Sequence, residues 1–317
     1  MGSHSPASTN STESWDSDLQ EENGFGYPLQ RMVPLESMRA GGGEESPHLR
    51  GLYRIPSSQS SSTSSHMVFV DFEAVVDEYL SHYTITDAQD LVVVEADSGT
   101  PSGTSTSLIL RRVNRHSPEL AILQALNLDE IRNDPWNPAP RLLYTVERGD
   151  DVILCIERLF DCDDPPLQTV ANVVDFIRQA LEGLCFLHEH NVAHHAYDDP
   201  NGVMMDIGRR NTAGFDRTRL PVRYYRINFS QAQQLLPSEA DPRNASFCSD
   251  VLDCGSMLQT LVEEVPKIGG KLRSLVAAMT SGEYGAEDAR KLFEALCKGI
   301  DASTYDAPLQ PLNMSEP

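Results

Sequence analysis

Residues 192–206 read VAHHAYDDPNGVMMD. A solvated acidic turn, Asp198-Asp199-Pro200 closed by Asn201-Gly202, separates the histidine pair His194-His195 from an apolar run that ends in Asp206. Such a loop takes its meaning from what stands on either side of it. Immediately before it, from Thr169 to His188, Val173, Val174, Ile177, Leu181, Leu184 and Cys185 fall on one stripe, the strongest helical pattern in the chain. After it come helical runs over 250–262, 270–279 and 286–296, and a Pro-rich tail, DAPLQPLNMSEP.

Upstream of Asp163-Asp164-Pro165-Pro166 the pattern is mixed. DFEAVVDEYL sets Phe72, Val75, Val76, Tyr79 and Leu80 at helical spacing behind Asp71 as a cap. The β-branched runs LVVVEAD and TSLILRRV flank SGTPSGTS and predict a hairpin with a glycine-containing tip. Ser117-Pro118-Glu119 supplies cap, first-turn proline and early acid for a helix burying Leu120, Leu123 and Leu126. RLLYTVE and DVILCIE then predict two strands joined at Arg148-Gly149-Asp150. Strand pairs around one helix, followed by a run of helices, give an α+β fold with a small β-rich N-terminal lobe and a larger helical one.

Composition limits what such a fold can do. The chain has 317 residues, 40 % of them hydrophobic, and a formal net charge of -22. That charge repels phosphate backbones and anionic lipids, so nucleic acid and membrane surfaces are poor partners. No stretch of 18 apolar residues predicts a membrane span. The six cysteines, Cys155, Cys162, Cys185, Cys248, Cys254 and Cys297, lack zinc-ligand spacing and read as reduced, mostly buried thiols, which implies an intracellular setting, cytoplasmic or nuclear. Residues 1–65, crowded with Ser, Gly and Pro, read as a disordered leader without the apolar run of a secretory signal. No internal repeat is visible.

The order of elements, with His194-His195-Ala196 followed by Asn201 and then Ile227-Asn228-Phe229-Ser230, resembles the protein-kinase fold. LEGLCFLHEHNVAH, NGVMMD and LPVRYYRINFS are similar to fungal, basidiomycete kinase-like proteins. The resemblance implies a kinase-like domain over 66–300, with an N-lobe to about 158, a C-lobe from about 159, and a flexible tail at 301–317. It also assigns roles. Ala196 stands where the family carries the Asp that takes or orients the substrate hydroxyl proton, and a methyl group cannot do this. Asp198 stands where Ser/Thr kinases carry a Lys; Asp198 or Asp199 as a substitute base is the weaker expectation, because a small misplacement already costs rate.

Asn228 replaces the Asp that binds magnesium, leaving Asn201 and Asn228 as weak metal candidates with neutral amide oxygens. Arg111, or else Arg112, takes the place of the strand lysine, with Glu119 as its partner; the arginine fork is not interchangeable with an ammonium. Ile156 falls at the gatekeeper, and Glu157 and Leu159 would offer backbone groups to an adenine. Gly99 and Gly103 in the hairpin tip are a poor match to a phosphate-cradling loop. Asp250 and Gly255 in SDVLDCGSML fit the central helix, Asp250 holding the backbone of the loop, and His194 belongs to the same support. The interval from Asn228 to Asp250 is short and holds no Ala-Pro-Glu.

The expectation is a catalytically impaired kinase-like domain, a pseudokinase, that works by binding protein partners and holds ATP weakly, with or without magnesium. Two alternatives stay open: a weak, unconventional protein kinase, and a small-molecule kinase of the aminoglycoside-phosphotransferase type. Phosphorylation of the Ser-rich leader by another kinase would be a natural switch.

Overall fold

The computed structural model describes residues 52–53, 68–69, 71–82, 91–97, 105–208, 215–217, 219–220, 222–262 and 264–309. Strands β1 (Leu52–Tyr53) and β2 (Val68–Phe69) pair antiparallel. Of the stretch 1–65, read from sequence as a disordered leader, all but Leu52–Tyr53 lies outside the described residues. All described residues belong to one compact unit, His48–Pro317.

Helix α1 (Phe72–His82) begins where Asp71 predicts: the Ala74 N–H donates to Asp71 Oδ1 at 3.1 Å. Four antiparallel strands follow in the order β3 (Leu91–Asp97), β4 (Ser105–Asn114), β6 (Asp151–Glu157) and β5 (Leu142–Arg148), with α2 (Pro118–Leu126) inserted between β4 and β5. Side chains alternate across a strand, and β4 shows the result. Leu108 and Leu110 join Val146, Ile153 and Cys155 in a cluster under α1, which contributes Phe72 and Val76. Ile109 and Val113 join Val152, Leu154 and Ile156 in a second cluster with α2. The sheet is covered on both faces, which is why LILRRV and DVILCIE read as continuous apolar runs. Phe72 stacks on Tyr144 at 5.2 Å, and Arg148 reaches Glu73 and Asp77, fixing α1 to β5.

After β7 (Phe160–Asp161) the chain turns helical. Helix α3 (Val170–Glu189) opens on a capping box between Thr169 and Asn172 and buries Val173, Ile177, Leu181, Leu184 and Cys185 as its stripe predicts. Short strands β8 (Val192–Ala193), β9 (Val203–Asp206), β10 (Arg223–Arg226) and β11 (Gln233–Gln234) lie between α3 and α4 (Ala245–Val262), followed by α5 (Pro266–Thr280), α6 (Ala286–Cys297) and α7 (Ala302–Tyr305). All six cysteines are free, with Cys155, Cys185 and Cys254 buried. No helix among the described residues is long and apolar enough to cross a membrane.

The described part of the tail from 301 is tied to the start of α3: the Val170 N–H donates to Ala307 O at 3.0 Å, the Leu309 N–H to Gln168 O at 2.9 Å, and Ala307 is buried. The hairpin tip holding Gly99 and Gly103 lies outside the described residues; within them Leu91 pairs with Arg111 and Asp97 with Ser105.

Candidate functional site

The histidine loop hangs from one buried carboxylate. Asp250, fully buried on α4, accepts the His194 N–H at Oδ2 (2.8 Å) and the His195 N–H at Oδ1 (2.7 Å), while His188 Nε2 on α3 lies 3.1 Å from Oδ2. Burial works to raise the pKa of this carboxyl, but the hydrogen bonds from His188 and the two backbone N–H groups outweigh it and hold the pKa below the ordinary range. With both oxygens engaged, the loop backbone has one position. His195 takes a left-handed φ of 57°, an uncommon conformation for a side-chain-bearing residue that these bonds hold in place.

Below the loop the packing is apolar and aromatic. The His194 ring is buried, edge-on to Tyr197 (5.4 Å) and Phe229 (5.0 Å), and neither ring nitrogen has a hydrogen-bond partner. Burial, followed by the nearby Arg226 charge, lowers the imidazole pKa to about 3, so the ring is neutral at ordinary pH. Tyr197 points inward and donates its hydroxyl to Ala180 O at 2.7 Å, with the Arg226 guanidinium 3.8 Å over its ring. Gly183 makes room for this: a Cβ there would lie 2.9 Å from Pro138 Cβ and 3.3 Å from the Tyr197 hydroxyl.

The side chains of Asp198 and Asp199, which follow in the loop, are solvent-facing or bonded within their own turn. Ala196 is half-buried and has no polar atom. Asp198 is exposed. Asp199 is used locally: its Oδ1 accepts the Asn201 N–H at 3.0 Å, capping a 3-10 turn over Pro200–Gly202. Asn201 is exposed on that turn, and the Gly202 carbonyl accepts the Ile227 N–H at 3.0 Å, setting the turn beside the Asn228 segment. Asn228 Oδ1 itself accepts the Ser230 hydroxyl at 2.7 Å and the Ser230 N–H at 3.2 Å. The oxygen that would face a metal ion is folded back into an Asx turn. Among the described residues no group of three or more His, Cys, Asp or Glu could hold a metal ion.

Arg111 and Glu119 meet at 2.7 Å, both buried. Arg112 instead lies 3.7 Å from Asp151, with its side chain partly exposed. Its guanidinium also donates to Ile227 O, and Glu119 Oε1 accepts the Phe229 N–H at 3.2 Å. Burial opposes the charge on Arg111, and Glu119 supports it. At the connection between the lobes Ile156 and Leu159 are buried, and the Glu157 N–H is given to Arg141 O at 3.1 Å.

The structure therefore brings together two groups of the residues singled out from sequence: Asp250 with the backbone of His194 and His195, and Arg111 with Glu119 and the segment carrying Asn228. Sequence reasoning passed over Tyr197 and Arg226. The signal was present as an arginine closing the otherwise compact strand RYYR and a tyrosine inside an acidic turn.

Neither a family model nor a curated protein sequence matches the chain. Among solved structures, it is similar to the autoinhibited serine kinase domain of the giant muscle protein titin, at 14 % identity and a TM-score of 0.48, with 68 % of this chain and 80 % of that chain covered.

Proposed function

We propose that this chain is a catalytically impaired protein-kinase-like domain, a pseudokinase, that acts by binding a protein partner as a scaffold or allosteric regulator. One observation carries the reading. The loop that would present a general base keeps its backbone anchored to Asp250 at 2.7 and 2.8 Å, while the residue at the base position is Ala196. Shape is maintained and the reacting group is missing. Asn228, turned onto Ser230, extends the same pattern to the metal position. Losses among groups that act together are not additive, so either change alone would reduce phosphoryl transfer by orders of magnitude. The free cysteines fit an intracellular setting.

Incubation with labelled ATP, magnesium or manganese, and generic protein substrates tests this directly. The expected result is no transfer above buffer; transfer by the wild-type chain refutes the reading. Ala196→Asp combined with Asn228→Asp is also expected to stay inactive, because Arg111 and the short interval to Asp250 remain.

A further inference from the structure

We infer that the cleft between the lobes is filled by the chain's own side chains, and that Arg111 latches the lobes together without nucleotide. The inference rests on the kinase-like reading of the cleft. A nucleotide there would insert its base between the sheet and β9 and bring its phosphates to Arg111. The residues on that path are already shielded from solvent. Ile109 and Ile156 from the sheet, Leu159 from the connection, and Val203 and Met204 from β9 belong to one buried cluster. Ile109 and Ile156 are each 1 % exposed and Leu159 2 %. A planar base needs about 3.5 Å of van der Waals separation on each face, and side chains this buried do not supply it.

The cationic end of the path is closed as well. The Arg111 side chain is 3 % exposed and engaged by Glu119 and the Ile227 carbonyl, and Glu119 in turn holds the Phe229 N–H. One ion pair thereby joins β4, α2 and the Asn228 segment, a connection across the lobes made wholly by the protein. On the far side of α2 the loop before β5 is fastened to the same lobe: the Arg226 N–H donates to Pro138 O at 2.7 Å, Arg223 donates to the carbonyls of Asp134 and Asn137, and Arg290 on α6 covers Trp136 at 5.1 Å. With connections on both sides of α2, closure requires no ligand. The residues present do not fit a nucleotide with its metal, and the domain offers a partner one fixed surface instead of a nucleotide-gated one.

Three measurements on the full chain test this. Thermal unfolding of the wild type with millimolar ATP, with and without magnesium, is expected to show no shift; a dose-dependent shift overturns the inference. Ile109→Ala should open space beside Ile156 and introduce a dose-dependent shift with adenosine; a variant that folds and shows none also overturns it. Arg111→Lys keeps a cation for Glu119 but loses the fork that reaches Ile227, so hydrogen exchange at Phe229 should rise at least tenfold while exchange in α3 stays as in the wild type. Unchanged exchange at Phe229 counts against the latch. If Arg111→Lys does not fold, the first two measurements still decide. Nucleotide binding without transfer defeats this inference and leaves the non-catalytic reading intact; transfer defeats both.

Discussion

Asp250 and Asn228 are polar side chains on two segments that hydrogen-bond to the chain between His194 and Gly202. Asp250 lies at 0 % exposure and reaches across the chain to three donors on two other elements. Asn228 is half-buried and bonds to its near neighbour Ser230. One residue organises the surrounding structure, and the other is organised by a turn two residues long. The difference teaches that the shape of this loop and the chemistry above it are separable: the first is set from below by a buried carboxylate, the second by surface side chains that contribute little to folding.

The strongest way to break the comparison is Asp250→Asn. The amide keeps one acceptor oxygen but presents an NH2 group to the other backbone N–H, leaving buried donors unpaired. We expect a loss of about 2–4 kcal/mol in urea unfolding, with rapid hydrogen exchange at His194 and His195. A loss below about 1 kcal/mol would mean the loop holds its form without Asp250.

The next effect concerns acid. His194 has a native pKa of about 3 against 6.5 for an exposed imidazole. Between those values the unfolded chain binds a proton that the native chain refuses, so stability rises with pH over that window and falls as the solution is acidified. The slope can reach about 1.4 kcal/mol per pH unit for one proton. Asp250 acts on a different range: its pKa is depressed, so its contribution is present above its unfolded value of 3.8 and is lost only as pH falls through the native value below that. His194 thus contributes a decline between pH 6 and 4. His194→Phe should flatten it in unfolding curves measured across that range, with little cost at pH 7, because the ring nitrogens it removes have no partner to lose.

Tyr197 gives a smaller effect. Tyr197→Phe removes only the hydroxyl bond to Ala180 O and should cost about 1 kcal/mol, read from the thermal midpoint, whereas Tyr197→Leu also removes the aromatic face under Arg226 and should cost more. Equal losses would place the stabilisation in the hydroxyl alone.

These residues also show how far the sequence could be read. The apolar stripe of α3, the β-branched runs of the β3–β4 hairpin and the Ser117-Pro118-Glu119 start of α2 are local patterns, and each appears in the fold at the positions it predicts. Asp250 beneath the loop came from a resemblance in spacing, and its partners stand 55 or more residues away in the chain. Tyr197, Arg226 and the tail segment at Ala307 were not legible, because what fixes them is a neighbour brought by folding: a carbonyl on α3, an aromatic face, the backbone ahead of α3.

The smallest predicted effect tests the other half of the comparison. Asn228→Ala removes an acceptor whose two donors, the Ser230 N–H and hydroxyl, are at the exposed surface, where water replaces it at little cost. Exposed substitutions of this kind change stability by about 0.5 kcal/mol or less, against several for Asp250→Asn. Since the Phe229 N–H is held by Glu119 and the Phe229 ring by His194, neither of which Asn228 touches, exchange at Phe229 should not change either. A loss above about 1.5 kcal/mol, or faster exchange at Phe229, would show that the Asn228 turn supports the latch from outside. The surface above the loop would then be a structural element in its own right, and the separation between shape and chemistry would not hold.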